Sequence, residues 1–460
     1  MLDTVETAVA ELPEDTLQVY LLLVCWAGDV LDGGIAAAIL NCPLEQAETQ
    51  LGILAAAQLL VDATPNDWYR PHEVFDDQRR RAGETANEDL PELETQHALA
   101  TRRIAEYFLA RLSAVDELVT PGRLRLDNYV ADYRPTDLTL VQDRATALDW
   151  AEQQLDNILL AAHAVHHLLP PLCFAVLERL WPVLVERKLY PQRPAIDELF
   201  MVTAGLAGDE VLLAEAMKRK GMHLRSAGDF DGARQQLGMA LKLWGDVGSV
   251  EVRRRVSAER TIQQRALATE QQALITEQLA LLRLAEGGGP GAAADAVAML
   301  RGCWQSHLDS GASARTIALV LNNLVTAMLV TGQVAEIDQA AGFADQALQM
   351  LNAIPDTFNI ARALTTCARV QLALDDQGRG NLRHAAAYAA DAADLALTLR
   401  APSETAAAQR VQANVARRRG DHARAQGLLE EAIRQFEAIG SPAAPAVRAE
   451  LTALRAEITS

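Results

Sequence analysis

The segments AGDFDGARQQLGMAL (227–241) and RGDHARAQGLLEEAI (419–433) align without a gap, 192 residues apart. Gly228, Ala233, Leu237 and Ala240 in the first correspond to Gly420, Ala425, Leu429 and Ala432 in the second. An internal repeat of this kind limits the fold more than any other feature of the chain. The glycine permits a tight turn between antiparallel helices, and the alanines let the second helix approach its neighbours closely. LVTGQVAEIDQAAGFADQAL and LALDDQGRGNLRHAAAYAADAADLAL repeat the theme after Gly332 and Gly378, with Ala340, Ala344, Ala347 and Ala385, Ala389, Ala392 at the small positions. Gly332, Gly378 and Gly420 are spaced by 46 and 42 residues, longer than the roughly 34 of a strict tetratricopeptide repeat (TPR). The pattern predicts long-helix, TPR-like hairpins, with Ala233, Ala344 and Ala425 buried at helix crossings; an alanine-rich helical bundle is the competing description.

Composition points the same way. Half of the 460 residues are hydrophobic and only 5% are aromatic, which favours helix over sheet. Upstream of the repeats, residues 10–75 alternate short apolar helices with small turns, and VDATPNDWYRP reads as two strand-like pieces about a Pro-Asn-Asp turn. This is a winged-helix pattern. DDQRRRAGETANEDLPELE (76–94) is charged and poor in large apolar residues, as an exposed connector or solvated helix would be. A helix is expected near 95–117, then a punctuated loop, VTPGRLRLDNYVADYRPTDLTL, before helices resume at Arg144. The expected architecture is all-α: a winged-helix-like domain at 1–75, a helical connector with a loop at 76–143, and a TPR-like α-solenoid at 144–460.

Charge then narrows function. The formal net charge of −19 repels phosphate backbones and anionic membranes. Met1–Tyr69 contains no lysine or arginine against eleven Asp and Glu, so a winged helix here lacks the cations that DNA contact requires. A DNA-binding transcriptional regulator is therefore the second choice, and the wing reads as a protein-docking or structural module. The five cysteines (Cys25, Cys42, Cys173, Cys303, Cys367) are scattered and form no C-x-x-C, so neither a disulfide framework nor a zinc site is indicated. MLDTVETAVAELPED is acidic where a signal peptide is basic, and VYLLLVCWAG is too short to span a bilayer; a cytoplasmic protein without a membrane partner is expected.

Catalytic and metal constellations are weak. AEGGGPGAAAD (285–295) lacks the Lys-Ser/Thr of a phosphate-cradling loop. His163, His166 and His167 have i, i+3, i+4 spacing but no acidic or cysteine partner in the same turn, which favours a solvated or packed helix face over a metal site. No Ser-His-Asp or Cys-His order stands out. The expectation is a non-enzymatic chain with no cofactor and no metal.

The binding surface is expected where first-helix side chains of TPR hairpins point inward. Counting back from Gly228 and Gly420 gives Lys218, Arg219, Met222 and Arg225 in one repeat and Arg410, Asn414 and Arg417 in the other. Counting from Gly332 and Gly378 adds Asn322, Asn323, Thr326 and Arg369. A concave face rich in cations and amides on an acidic protein suits an acidic peptide, a C-terminal carboxylate or another anion. The competing description pairs these side chains with nearby Asp and Glu.

LQVYLLLVCWAGDVLDGGIAAAIL, QAETQLGILAAAQLLV and WYRPHEVFDDQ, followed by ATALDWAEQQLDNILLAAHAV and the hairpins, resemble the region after the nucleotide-binding domain of STAND-type regulatory NTPases, which include the NB-ARC proteins and the bacterial SARP-type activators. The resemblance spans nearly the whole chain and implies a sensor array that restrains a nucleotide domain until a signal binds. It also implies a role for His72, since a histidine at the end of the family's winged helix contacts the phosphates of bound ADP. The glutamate after it is kept as Glu73, whereas the preceding hydrophobic residue is replaced by Pro71. The sequence has no G-x-x-x-x-G-K-S/T and no βαβ alternation to hold one. His72 is then half of a site completed by a nucleotide domain in trans or removed from the chain, or it has another job in a stand-alone relative; capping a helix or packing under the wing is the plainer alternative.

Overall fold

The computed structural model describes residues 9, 11–24, 26, 28, 30–63, 68–71, 91–121, 123–135, 143–247, 258–354 and 356–459. His72 and most of the charged 76–94 stretch lie outside the described residues. The chain divides into two compact units, Met1–Val183 with Val202–Ala207, and Leu184–Met201 with Gly208–Ser460.

The first unit begins with three short helices: α1 (Glu14–Leu23), α2 (Gly33–Leu40) and α3 (Leu44–Ala56). Asp32 caps α2 by accepting from the Ile35 amide at 2.7 Å. A two-stranded antiparallel hairpin follows, β1 (Leu60–Ala63) and β2 (Trp68–Pro71), with Asp62 opposite Tyr69. Leu31 and Tyr69 exchange backbone hydrogen bonds of 2.7 and 2.8 Å, which ties the turn before α2 to the far side of the hairpin. The core between these elements comprises Tyr20, Leu23, Ile35, Ile39, Leu51 and Leu54, all completely buried.

The long helix α4 (Pro91–Val119) seals this core with Tyr107 and Phe108. Gly34 is required at the crossing, because a Cβ there would lie 2.4 Å from the Tyr107 hydroxyl. Arg103 donates to the Ala38 and Ile39 carbonyls at 2.7 and 2.6 Å, satisfying the end of α2 with a cation where the helix dipole favours one. α5 (Arg144–Gln153) and α6 (Leu155–Val165) also pack on α4, so these helices belong with the first unit. α7 (Pro170–Arg187) follows and leads into the second unit.

The second unit is the repeat array. α8 (Arg193–Ala207) leads into five hairpins: α9 (Glu210–Ala227) with α10 (Phe230–Val247), α11 (Ala258–Ala285) with α12 (Gly289–Asp309), α13 (Ala314–Thr331) with α14 (Val334–Asn352), α15 (Thr357–Asp375) with α16 (Leu382–Thr398), and α17 (Pro402–Arg418) with α18 (His422–Ala438). α19 (Ala444–Thr459) packs on the last of them. Gly228, Gly332, Gly378 and Gly420 all hold left-handed backbone, with φ of 86°, 67°, 71° and 77°, as the repeat pattern requires. Ala233, Ala344 and Ala425 are buried. Gly221 shows how close the helices come: a Cβ there would sit 2.7 Å from Leu237 Cγ. α13 is long and apolar enough to cross a bilayer, but here it is a central helix of the array, packed between α12 and α14.

First helices of successive hairpins also touch one another, α9 on α11, α11 on α13, α13 on α15 and α15 on α17, and so form a continuous inner layer. The beginning of the unit meets this layer near its end. Arg187 donates to the Arg400 carbonyl at 2.7 Å, Tyr190 is a hydrogen-bond partner of Ser441, and Pro191 lies beside Gly440.

Candidate functional site

The cations expected on the inner face are in different states. Lys218 and Arg219 are buried and close onto one carboxylate: Lys218 Nζ lies 2.6 Å from Glu215 Oε2 and Arg219 Nε 2.8 Å from Glu215 Oε1. Despite burial, these two cations hold the Glu215 carboxyl well below its usual range. Lys218 also donates to Gln271 at 2.8 Å, and Arg219 stacks over the Phe200 ring at 4.9 Å. Arg410 pairs with Glu450, and Arg417 lies 2.7 Å from Glu457 Oε2, both carboxylates belonging to the terminal helix α19. All four are in structural ion pairs: those of Lys218 and Arg219 lie within α9, and those of Arg410 and Arg417 join α17 to α19.

Arg225 and Arg369 differ. Neither has a carboxylate within ion-pair distance among the described residues. Arg225 reaches only Gln278, at 3.4 Å, and its Nε is buried without a hydrogen-bond partner. Desolvation and the nearby Arg362 guanidinium both lower the Arg225 pKa. Desolvation and Arg410 do the same to Arg369. Met222 is half-buried, and Asn322 is buried with its carbonyl accepting from Thr326 at 3.1 Å. Asn323 donates to the carboxyl of Glu277, and Asn414 donates to the Arg410 carbonyl at 3.1 Å.

Three groups at this wall escape the counting from turn glycines: Lys188, Glu277 and Arg362. Burial is the largest influence on Glu277 and pushes its carboxyl up to about 7, although Asn323, Arg362 and Arg225 all favour the charged form. Arg362 donates to Asn359 at 2.9 Å. Lys188, in the connector before α8, lies 3.9 Å from Glu404 Oε1 and is lowered by burial and by Arg362 and Arg225. Lys188 holds left-handed backbone at φ 53°, a conformation that costs energy for a residue with a Cβ. That strain is invisible in sequence, and the spacing between Lys188 and Glu404 leaves no periodic trace.

The first unit also has a cavity, of about 620 Å³, lined by Cys42, Leu99, Arg102, Arg103, Glu106 and Asp132 among others. Two of its arginines are engaged by the protein itself: Arg102 bonds Glu106 and Asp132, and Arg103 bonds the α2 carbonyls. His163, His166 and His167 stack with ring centroids 4.5 and 3.8 Å apart, and no group of three or more His, Cys, Asp or Glu among the described residues is placed to hold a metal.

The second unit is thus an array of TPR-like hairpins, and the first is a small helical unit that carries a β-hairpin. No protein-family model matches the chain, and no curated protein does. Similar solved structures include a signal transduction ATPase with numerous domains (STAND) that has a tetratricopeptide repeat sensor, from Pyrococcus horikoshii. It is 13% identical, with a TM-score of 0.41 over 98% of this chain and 61% of that one. A Rap protein complexed with competence and sporulation factor is 10% identical, with a TM-score of 0.42 over 84% of this chain and 92% of that one. A circular tandem repeat protein is 14% identical, with a TM-score of 0.19 over 99% of this chain and 97% of that one. The chain spans about three fifths of the STAND structure's length.

Proposed function

We propose that this chain is a non-enzymatic regulatory or scaffold protein that binds an acidic protein segment or peptide along the inner layer of its hairpin array. The observation that carries this reading is the state of Arg225 and Arg369, two cations on that layer with no carboxylate at ion-pair distance among the described residues. Guanidinium groups in a partly desolvated groove bind carboxylates more strongly than exposed ones do, so a partner's Asp, Glu or C-terminus would supply what the protein withholds. The resemblance to the region after the nucleotide-binding domain of STAND-type regulators extends the proposal: the array is the sensor part, acting on a nucleotide domain supplied by the same protein or a partner. The helices α1–α3 and the β1–β2 hairpin, joined through Leu31 and Tyr69, support reading the head as winged-helix-like. With no Lys or Arg before Arg70, that head suits protein docking better than DNA.

Fluorescence anisotropy with a short labelled Asp/Glu-rich peptide tests the proposal. Binding should weaken with salt and be lost in an Arg225→Glu, Arg369→Glu double variant that keeps its helicity. Equal binding of a Lys-rich peptide of the same length, or of the acidic peptide by the double variant, would overturn it.

A further inference from the structure

Lys188, Arg225, Glu277, Arg362 and Glu404 share one electrostatic neighbourhood in the second unit, although they are far apart in sequence. Arg225 comes from α9, Glu277 from α11, Arg362 from α15 and Glu404 from α17, while Asn323 of α13 anchors the Glu277 carboxyl. Each of the five first helices therefore contributes one polar group to the same place. The connector before α8 adds the sixth, Lys188, which feels Glu404, Arg362 and Arg225.

Three observations distinguish this cluster from a structural ion-pair network. First, its charges are not matched: Arg225 and Arg362 have no carboxylate at ion-pair distance among the described residues, and Lys188 reaches Glu404 only at 3.9 Å. Second, polar atoms are left over, since Arg225 Nε and Glu404 Oε2 are both buried without hydrogen-bond partners. Buried donors and acceptors are nearly always satisfied, so two orphans within one set of charges call for an explanation. Third, Lys188 keeps 25% of its side-chain surface accessible even though desolvation is the largest influence on it. That surface leaves the ammonium group open to a ligand.

We propose that this cluster is a binding site for a small ligand bearing two or more anionic groups, held by Lys188, Arg225 and Arg362, with the Glu277 carboxyl as a hydrogen-bond donor. The ligand class is a phosphate ester or a di- or tricarboxylate. Its oxygens would take the guanidinium and ammonium donors that have no carboxylate of their own, and would relieve the repulsion among the three cations. Protonated at its high pKa, Glu277 can donate to a ligand oxygen where a carboxylate would repel it. Because the ligand's contacts come from α9, α11, α15 and the connector before α8, occupation would also tie separate hairpins together, which suits a sensor. The inference rests on the inner layer being the binding surface, and it adds a compact ligand to the extended one.

Thermal unfolding of the full chain with pyrophosphate and, separately, citrate tests it. At low ionic strength either polyanion should raise the melting temperature in a concentration-dependent way. Arg362→Met and Lys188→Met should each weaken the apparent affinity by at least about tenfold, the usual scale for a lost charged hydrogen bond. Arg455→Gln, at an exposed pair with Glu430, should leave it unchanged. Without polyanion, Arg362→Met should melt no lower than the parent, so loss of response is separable from loss of fold. Failure of both polyanions to stabilise the parent, or an equal response in all variants, would overturn the site. If neither polyanion acts while the Asp/Glu-rich peptide still binds, only the compact-ligand site fails; if a polyanion acts and the peptide does not bind, the extended-ligand reading fails instead.

Discussion

The two units differ in how far they pair their buried charges. In the first, Asp116 accepts from Arg123 and Arg125 at 3.0 and 2.7 Å, Arg123 also bonds Glu178 at 2.6 Å, and Arg179 bonds Asp127. These pairs fasten the extended segment 123–135 to α4 and α7, and Asp116 is held below the ordinary carboxylate range by its arginines. In the second, Glu215 is paired with Lys218 and Arg219, yet Arg225, Arg362 and Arg369 have no carboxylate at ion-pair distance among the described residues, and Glu277 is buried near Arg225 and Arg362. The same residue types act as fasteners in one place and are held in reserve in the other. A fold gains no stability from mutually repelling cations, so their retention points to a use outside folding.

The largest effect is expected from breaking a fastener. Arg123→Met leaves Asp116 and Glu178 buried without their shared cation and should destabilise the first unit by about 3–5 kcal/mol, measured by urea unfolding followed on that unit. The second tests the reserve by pH. With its carboxyl raised from near 4.5 to about 7, the native state holds a proton that the unfolded chain releases, so stability falls as pH rises through that window. The groups facing Glu277 are Arg225 on α9, Cys303 on α12, Asn323 on α13 and Arg362 on α15; the two arginines and the Asn323 hydrogen bond oppose the shift, and the Cys303 thiol is itself pushed up to about 12. Glu277→Gln should therefore stabilise the array by up to about 3 kcal/mol at pH 8 and be close to neutral at pH 5. A smaller effect sharpens the register: Ala425→Leu should overpack the α17–α18 crossing and cost about 1–3 kcal/mol in a melting experiment.

Much of the array was legible because its determinants are local. A left-handed turn selects glycine, and a close crossing selects alanine, so Gly228, Gly332, Gly378 and Gly420 and the buried alanines mark the hairpins directly. The pairing of the cations was not legible in the same way. Lys218 and Arg219 meet Glu215 within one helix turn or so, a spacing the sequence does show, yet it does not reveal that the side chains are buried. Arg410 finds Glu450 across 40 residues, and only the packing of α19 makes that contact. Lys188 and Arg362 escaped because their meeting depends on the closure of the array, through contacts such as Arg187 with the Arg400 carbonyl, which no periodicity encodes.

The most direct measurement is the urea stability of Arg225→Met in the absence of any added anion. If the inner cations are held for a ligand, removing one relieves its repulsion with Arg362 and its buried, unpartnered Nε, and the variant should unfold at the same urea concentration as the parent or a higher one. A loss as large as that expected for Arg123→Met would show that Arg225 is a fastener like the arginines of the first unit, and would contradict the account.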